Sequence, residues 1–501
     1  MVRQAAACAL ALGALATVTA PAAAATQDLL VLGRGGRVHV RRAPNAYASM
    51  ASLPVPVAAA ATTRRHTASG PTFTRALQML LASGGIDQTT YNSGIVAWSR
   101  AHRSLGRLSG TRAVEFGAVI SNLQQIAAAG ELTPSRLPAL MLTLDRNRQW
   151  WTTGPLLSDG QRTSFSGSRI VWEYYPGQGI EIQWLGTFGE ANGYWQSGHH
   201  DSDLAALLDE VVPLATKRAG GIAWEYEFNF GGGSPPWVSG MAQGTAIQSL
   251  ARAAVRLKRP DYDAVAHSAL GIFQRPPPQG VRVATAAGAH YLLYSFASDQ
   301  RVLNGFIQAV VGLYDYATLG ADPAAMALFE SGDAEARVEV PNYDTGAWSL
   351  YDTSTESSLS YHLLLRDFLS HLCQRTVPPP TGGGAPAQPP ADEIFCTTAQ
   401  NFTDYLKQPP VLTLVAPGVI HARASARLRF TLSKVSYVTL TLHRGGHVFQ
   451  LVGEQLAHGH HGFDWMPASA GTYELAATAY DLAGNSAQSS EQVTVRAPRH
   501  G

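Results

Sequence analysis

Tyrosine, histidine and carboxylate side chains gather in three short stretches of the 501-residue chain in a pattern suited to proton transfer. The first reads His290, Tyr291, Leu292, Leu293, Tyr294 and leads through Arg301, Val302, Leu303, Asn304, Gly305 and Phe306 into an apolar run. The second runs Tyr343, Asp344, Thr345, Gly346, Ala347, Trp348, Ser349, Leu350, Tyr351, Asp352, and the third is Ser360, Tyr361, His362. A phenol titrates near 10 and an imidazole near 6.5, so each serves as acid or base only when a neighbouring charge or hydrogen bond tunes it. Upstream, Pro236, Trp237, Val238, Ser239, Gly240, Met241, Ala242, Gln243 and Gly244 open a further helical run. An arbitrary one of the 18 tyrosines is a packing residue with a hydrogen-bonded tip, so context has to single out the reactive ones.

The order and wording of these blocks supply that context: they resemble the C-terminal catalytic domain of the D-glucuronyl C5-epimerase family, enzymes that turn glucuronic into iduronic acid units within a polysaccharide. In that family a tyrosine stands eight residues before a V-L-N-G-F run, a second ends a Y-D-T-G segment and a third sits in a tyrosine–histidine pair. Those places are Tyr294, Tyr351 and Tyr361 here. The block from 236 to 244 is similar to the family's W-x-S-x-M-A-Q-G segment, and a weaker block joins Tyr175, Pro176, Gly177, Gln178, Gly179, Ile180 to residues 187–192, giving coverage from about 170 to 372. The resemblance implies an α/α barrel whose loops gather over one mouth, and an isomerase without metal or nucleotide cofactor. Its chemistry removes the C5 proton α to a carboxylate and returns it to the opposite face, which needs two acid/base groups and a cation or hydrogen bonds at the carboxylate. Tyr294, Tyr351 and Tyr361 are the catalytic candidates; His290, Asn304, Trp237, Gln243 and His362 are the substrate-binding ones, the two amides for sugar hydroxyls.

Two positions depart from the family. Leu293 stands where it has a glutamate, and Ser354 where it has an arginine. A leucine cannot move a proton and a serine cannot neutralise an anion. His290, one turn before Tyr294 if that segment is helical, is one conceivable substitute; His362, Glu173, Glu181, Glu225 and Glu227 are others, each taken singly better read as structural. Alternatives therefore stay open: a uronate polysaccharide lyase, which shares the first proton abstraction, and a non-catalytic glycan-binding protein on the same scaffold.

Composition frames these readings. A chain 46% hydrophobic and 15% charged is globular, and a formal charge of +1 gives no reason to expect a nucleic-acid partner. Arg3, the apolar run 5–18 and the small residues 21–25 read as a signal peptide over 1–25, and no later run has the roughly 18 apolar residues of a membrane span. The expected product is secreted or in the cell envelope, acting on a uronic-acid-containing polysaccharide. Cys373 and Cys396 bracket a Pro/Gly-rich stretch and, after export, are expected to form a disulfide. The expected organisation is an N-terminal extension over 26–70, the α/α barrel over 71–376, a Pro-rich linker with a short helix over 377–409, and an immunoglobulin-like β-sandwich over 410–498. His458, His460 and His461 lack a completing cysteine or carboxylate nearby and are read as a solvated turn, not a metal site.

Overall fold

The computed structural model describes residues 25–47, 70–376, 393–415, 417 and 419–498. Residues 1–24 of the expected signal peptide and 377–392 of the Pro-rich linker lie outside them.

Four helices come first: α1 (Phe73–Ala82), α2 (Gln88–Leu105), α3 (Gly110–Ala128) and α4 (Leu137–Thr153). Then follow α5 (Trp184–Ser197), α6 (Asp201–Val211), α7 (Gly240–Leu257), α8 (Pro260–Ser268), α9 (Gly271–Gln274), α10 (Leu303–Leu319), α11 (Pro323–Glu339), α12 (Leu359–Thr376) and α13 (Ile394–Tyr405). Their starts are encoded locally. Thr72, Asp87, Ser239 and Asp322 each turn a side-chain oxygen onto a backbone N–H of the first turn, satisfying donors that a helix cannot bond internally.

Helices α5, α7, α10 and α12 pack side by side, and each carries a partner on its far side: α6, α8, α11 and α13 respectively. The four inner helices run in the same direction. Gln248 reaches Asp315 and Gln308 at one level, while Gly244 lies against Ala309 and Gly312 a turn earlier. Tyr314 likewise meets Arg375 near the ends of α10 and α12. Glycine is required at the tightest of these contacts, because a Cβ on Gly312 would sit 2.1 Å from the carbonyl oxygen of Gly244.

A five-stranded sheet packs against α3, α4 and α5. Its strands β1 (Thr26–Leu32), β2 (Val38–Pro44), β3 (Arg162–Phe165), β4 (Trp172–Tyr175) and β5 (Gly179–Ile182) lie in the order β2-β1-β3-β4-β5, with β1 and β3 parallel and the other pairs antiparallel. Two small hairpins follow, β6 (Thr216–Arg218) with β7 (Gly221–Ala223) and β8 (Arg282–Ala284) with β9 (Ala289–Tyr291).

After α13 the chain becomes wholly β: β10 (Leu412–Val415), β11 (Ile420–His421), β12 (Ala426–Leu432), β13 (Ser436–Arg444), β14 (His447–Leu456), β15 (Gly459–Trp465), β16 (Gly471–Asp481) and β17 (Ser486–Arg496). They form two sheets, β10-β12-β15 and β11-β17-β16-β13-β14. Alternate residues such as Tyr473, Leu475, Ala477 and Ala479 point into an apolar core shared with Leu428 and Phe430.

Cys373 and Cys396 are joined by a disulfide between α12 and α13, at a sequence separation of 23. Closing a loop of that size restricts the unfolded chain by roughly 3 kcal/mol. Cys373→Ser should therefore lower the urea midpoint by about that free energy while leaving helix content unchanged in circular dichroism.

Candidate functional site

Every sequence-selected tyrosine lies at the N-terminal end of an inner helix. Ser295, next to Tyr294, exchanges backbone and side-chain hydrogen bonds with Val238 just ahead of α7. The carbonyl of Tyr351 accepts from the amide of Leu303 at the start of α10. Tyr361 is in the first turn of α12. The rings of Tyr351 and Tyr361 are 5.2 Å apart. The Tyr294 hydroxyl lies beside Tyr351, whose own Oη makes no hydrogen bond of good geometry.

Burial sets the protonation of this group. It pushes all three phenols up from 10, and their mutual repulsion adds to it; for Tyr361 the carboxylate of Glu173 pushes further and Arg162 opposes. Neutral phenols are the resting form, so the tyrosines are poised to donate protons rather than to accept them.

The sheet brings charge to the tyrosines. Arg162, Glu173 and Glu181 stand directly across from one another on β3, β4 and β5 and so share one face. Arg162 grips Glu173 at 3.1 Å. Tyr175, on the same face, receives a hydrogen bond from the amide of Gln183 at 2.8 Å, and Tyr226 donates to the other end of that amide at 3.1 Å. Glu181 and Glu227 are both buried, and one oxygen of each has no hydrogen-bond partner. Neither forms an ion pair among the described residues. Burial, then repulsion from Glu227, drives the Glu181 carboxyl well above its usual range; burial and Glu225 do the same to Glu227. Glu225 behaves differently, being clasped by Arg136 at 2.6 Å and Arg218 at 2.6 Å.

Several expectations are corrected. His290 is on strand β9, not a helix, so it does not share a helical face with Tyr294. Its Nδ1 is 2.9 Å from Glu339, its ring packs on Phe306, and burial lowers its pKa. Gln243 is fully buried and turns its amide onto the backbone of Trp224, accepting at 3.3 Å and donating at 2.8 Å, so it serves the fold. His362 is also structural: Ser349 and the carbonyl of Phe402 occupy its two nitrogens, Trp348 stacks on its ring at 3.8 Å, and burial takes its pKa down to about 4. Trp237 stacks on Tyr226 at 4.3 Å and gives its indole N–H to Phe228, so it walls the tyrosine cluster. Asn304 is buried in the first turn of α10 with its Oδ1 unpartnered among the described residues, and stays a candidate contact. Leu293 packs onto Gly305, and Ser354 folds back onto Asp352 in an exposed loop.

Residues 219–378 match the family model described as the D-glucuronyl C5-epimerase C-terminus. This stretch belongs to that family. The chain is 31% identical over 131 residues to the D-glucuronyl C5-epimerase of Caenorhabditis elegans, an alignment covering 24% of this chain and 21% of that protein. An uncharacterized protein of Methanocaldococcus jannaschii is 27% identical over 151 residues, 28% of this chain and 49% of its own length. The chain thus spans between a fifth and a half of these relatives. Among solved structures, an endo-β-1,4-glucanase of Acetobacter xylinum aligns at 12% identity and a TM-score of 0.30, over 48% of this chain and 92% of that one. An unsaturated glucuronyl hydrolase of a Bacillus species aligns at 13% and 0.29, over 45% and 61%. The C5-epimerase segment contains Tyr226, Glu227, Tyr294, Tyr351 and Tyr361, whereas Arg162, Glu173, Tyr175 and Glu181 precede it. The site is therefore assembled from inside and outside the matched region.

Proposed function

We propose that the protein is a secreted isomerase that inverts C5 of uronic acid units in a polysaccharide, on an α/α barrel formed by residues 71–376 with the β region appended. One observation carries this reading: three neutral tyrosines converge with Arg162 at the N-terminal ends of parallel helices. The positive helix ends and the guanidinium favour an anionic sugar carboxylate, and the phenols stand where a proton has to be delivered. The family glutamate lost at Leu293 is replaced from strand β5 and from the segment that follows β7. The pair Glu181 and Glu227, in its singly protonated form, supplies one carboxylate as the base on one side of the ring. In the forward step the ionised member of the pair, as carboxylate, takes the C5 proton, the C5–H bond breaks, and its electron pair spreads into the sugar carboxylate as an enediolate. A tyrosine then donates a proton to the opposite face and is later reprotonated, so no redox partner or cofactor is consumed. Asn304 completes the binding set through its unpartnered Oδ1.

Proton NMR of a uronic-acid polysaccharide panel incubated in deuterated water tests this. Deuterium should enter C5 with formation of the inverted sugar, and Tyr294→Phe or Tyr361→Phe should slow it by about 10²- to 10⁴-fold. An olefinic signal instead would make the protein a lyase. Glycan binding without any C5 exchange would leave a non-catalytic receptor.

A further inference from the structure

Tyr351 stands on one arm of a tight loop formed by residues 349–357. Leu350 pairs with Glu356 across it, the amide of Tyr351 donates to Thr355 at 2.7 Å, and that of Ser357 donates to Ser349 at 2.9 Å. Asp352 fills the tip, accepting from the amides of Ser354 and Thr355. The loop's backbone is thus ordered internally, but its outer edge is held by the C-terminal β region. The Glu356 side chain is 4% exposed, accepts the amide of Val435 at 2.8 Å and that of His458 at 2.7 Å, and lies 3.1 Å from the His458 ring. Those two amides sit just before β13 and just before β15, one from each sheet.

A second anchor lies beside the first. Lys434 is buried, pairs with Asp481 at 2.6 Å and donates to the carbonyl of Tyr405 at 2.8 Å. Its ammonium also lies 5.5 Å from the centre of the Trp348 ring. Trp348 in turn stacks on His362, the neighbour of Tyr361. Two catalytic candidates therefore lean on residues whose far sides are fixed by the β region.

We infer that the C-terminal β region is a positioning element of the tyrosine site, with Glu356 as the strut between the Tyr351 loop and strands β13 and β15. The catalytic consequence rests on the proposed function; the mechanical one does not. Burying a carboxylate on two amides of another unit is costly unless the geometry is maintained.

Backbone hydrogen–deuterium exchange on the full chain decides the mechanical part. In Glu356→Ala the amides of Tyr351 and Ser357 should exchange at least tenfold faster than in the wild type. Glu356→Gln, which keeps one acceptor, should fall between, and Arg427→Ala, exposed and paired with Asp464 across β12 and β15, should match the wild type. Protection at 349–357 unchanged in both Glu356 variants overturns the inference. For catalysis, C5 deuterium incorporation should show kcat reduced tenfold or more in Glu356→Ala, KM within about threefold, and partial recovery in Glu356→Gln. Loosened amides with undiminished kcat would reduce Glu356 to a purely structural contact. A wild type inactive on every glycan would sink the epimerase reading alone, because the amide exchange still decides the strut. Should Glu356→Ala fail to fold, His458→Ala, which removes only the ring contact, gives the same ordering of amide exchange on a smaller scale.

Discussion

Glu181→Gln should give a protein more stable than the wild type at neutral pH and nearly devoid of turnover. Glu181 is buried, lacks an ion pair among the described residues, and leaves Oε1 without a hydrogen bond. Burial and the facing Glu227 raise its pKa well above the usual range. The unfolded chain releases that proton once the pH passes about 4.3, while the folded chain keeps it. Between those limits the folded state binds more protons, so stability falls as pH rises, by about 1.4 kcal/mol per pH unit for each carboxyl so held. Below the unfolded value the penalty vanishes. Glutamine is a neutral isostere and removes one such slope, but it can neither take nor return a proton, and activity should fall by about 10²- to 10⁴-fold. Glu225→Gln should do the reverse, because its carboxylate neutralises the buried Arg136 and its loss leaves that guanidinium with only the half-exposed Glu131 carboxylate as a charged partner among the described residues. Urea midpoints from pH 4 to 8, set beside C5 deuterium incorporation, check both. A Glu181→Gln variant less stable than the wild type at pH 7, or one with turnover within twofold, would remove the carboxyl pair from the mechanism.

That pairing explains what could be read from the sequence and what could not. Tyr294, Tyr351 and Tyr361 were legible because they are embedded in local motifs, and α7, α10 and α12 because their apolar spacing is local too, with a Ser239 cap at α7. Arg162 gave no signal: its relevance comes from standing opposite Glu173 in a sheet whose register is set by long-range pairing. Glu173, Glu181, Glu225 and Glu227 were all visible as candidates, but only tertiary contacts separate the arginine-clasped Glu225 from the unpaired Glu181 and Glu227. Gln243 and the imidazoles misled for the opposite reason. Gln243 and His362 lie in motif-like contexts, yet each is consumed by neighbouring backbone, a use that residue type cannot reveal. Helix α5 escaped notice because Gly186, Gly189 and Gly193 depress helix propensity. The glycines are there for contact, since a Cβ on Gly193 would sit 2.6 Å from the backbone of Pro44 at the end of β2. Strands β15 and β17 carry too many exposed residues for alternation to show.

Asp315→Ala should produce the largest loss of stability. Asp315 lies toward the C-terminal end of α10 and accepts from Arg375 of α12 at 2.6 and 2.9 Å, and from Arg252 and Gln248 of α7, each at 2.8 Å. Arg252 continues to Asn192 of α5 at 2.8 Å. One carboxylate therefore ties together four inner helices at the end opposite the tyrosines. Burial alone would raise its pKa, but Arg375 and Arg252 outweigh it and hold the group below its usual value. Its contribution is accordingly present above about pH 4 and lost as the pH falls through the folded value. Removing the carboxylate leaves the buried Arg252 unpaired, at a cost of about 3–5 kcal/mol. The double variant Arg252→Leu with Asp315→Ala should recover part of that, since no orphan charge remains on α7. Because the clamp fixes the relative rise of α7, α10 and α12, a variant that still folds should lose turnover as well. Slippage at one end of a parallel helix set displaces Tyr294, Tyr351 and Tyr361 at the other, and displacements near 1 Å cost about a hundredfold in rate. Denaturation curves for the two variants, read beside their C5 exchange rates, measure the clamp and its reach separately; an Asp315→Ala midpoint within about 1 kcal/mol of the wild type would show that the helices hold their register by apolar packing alone.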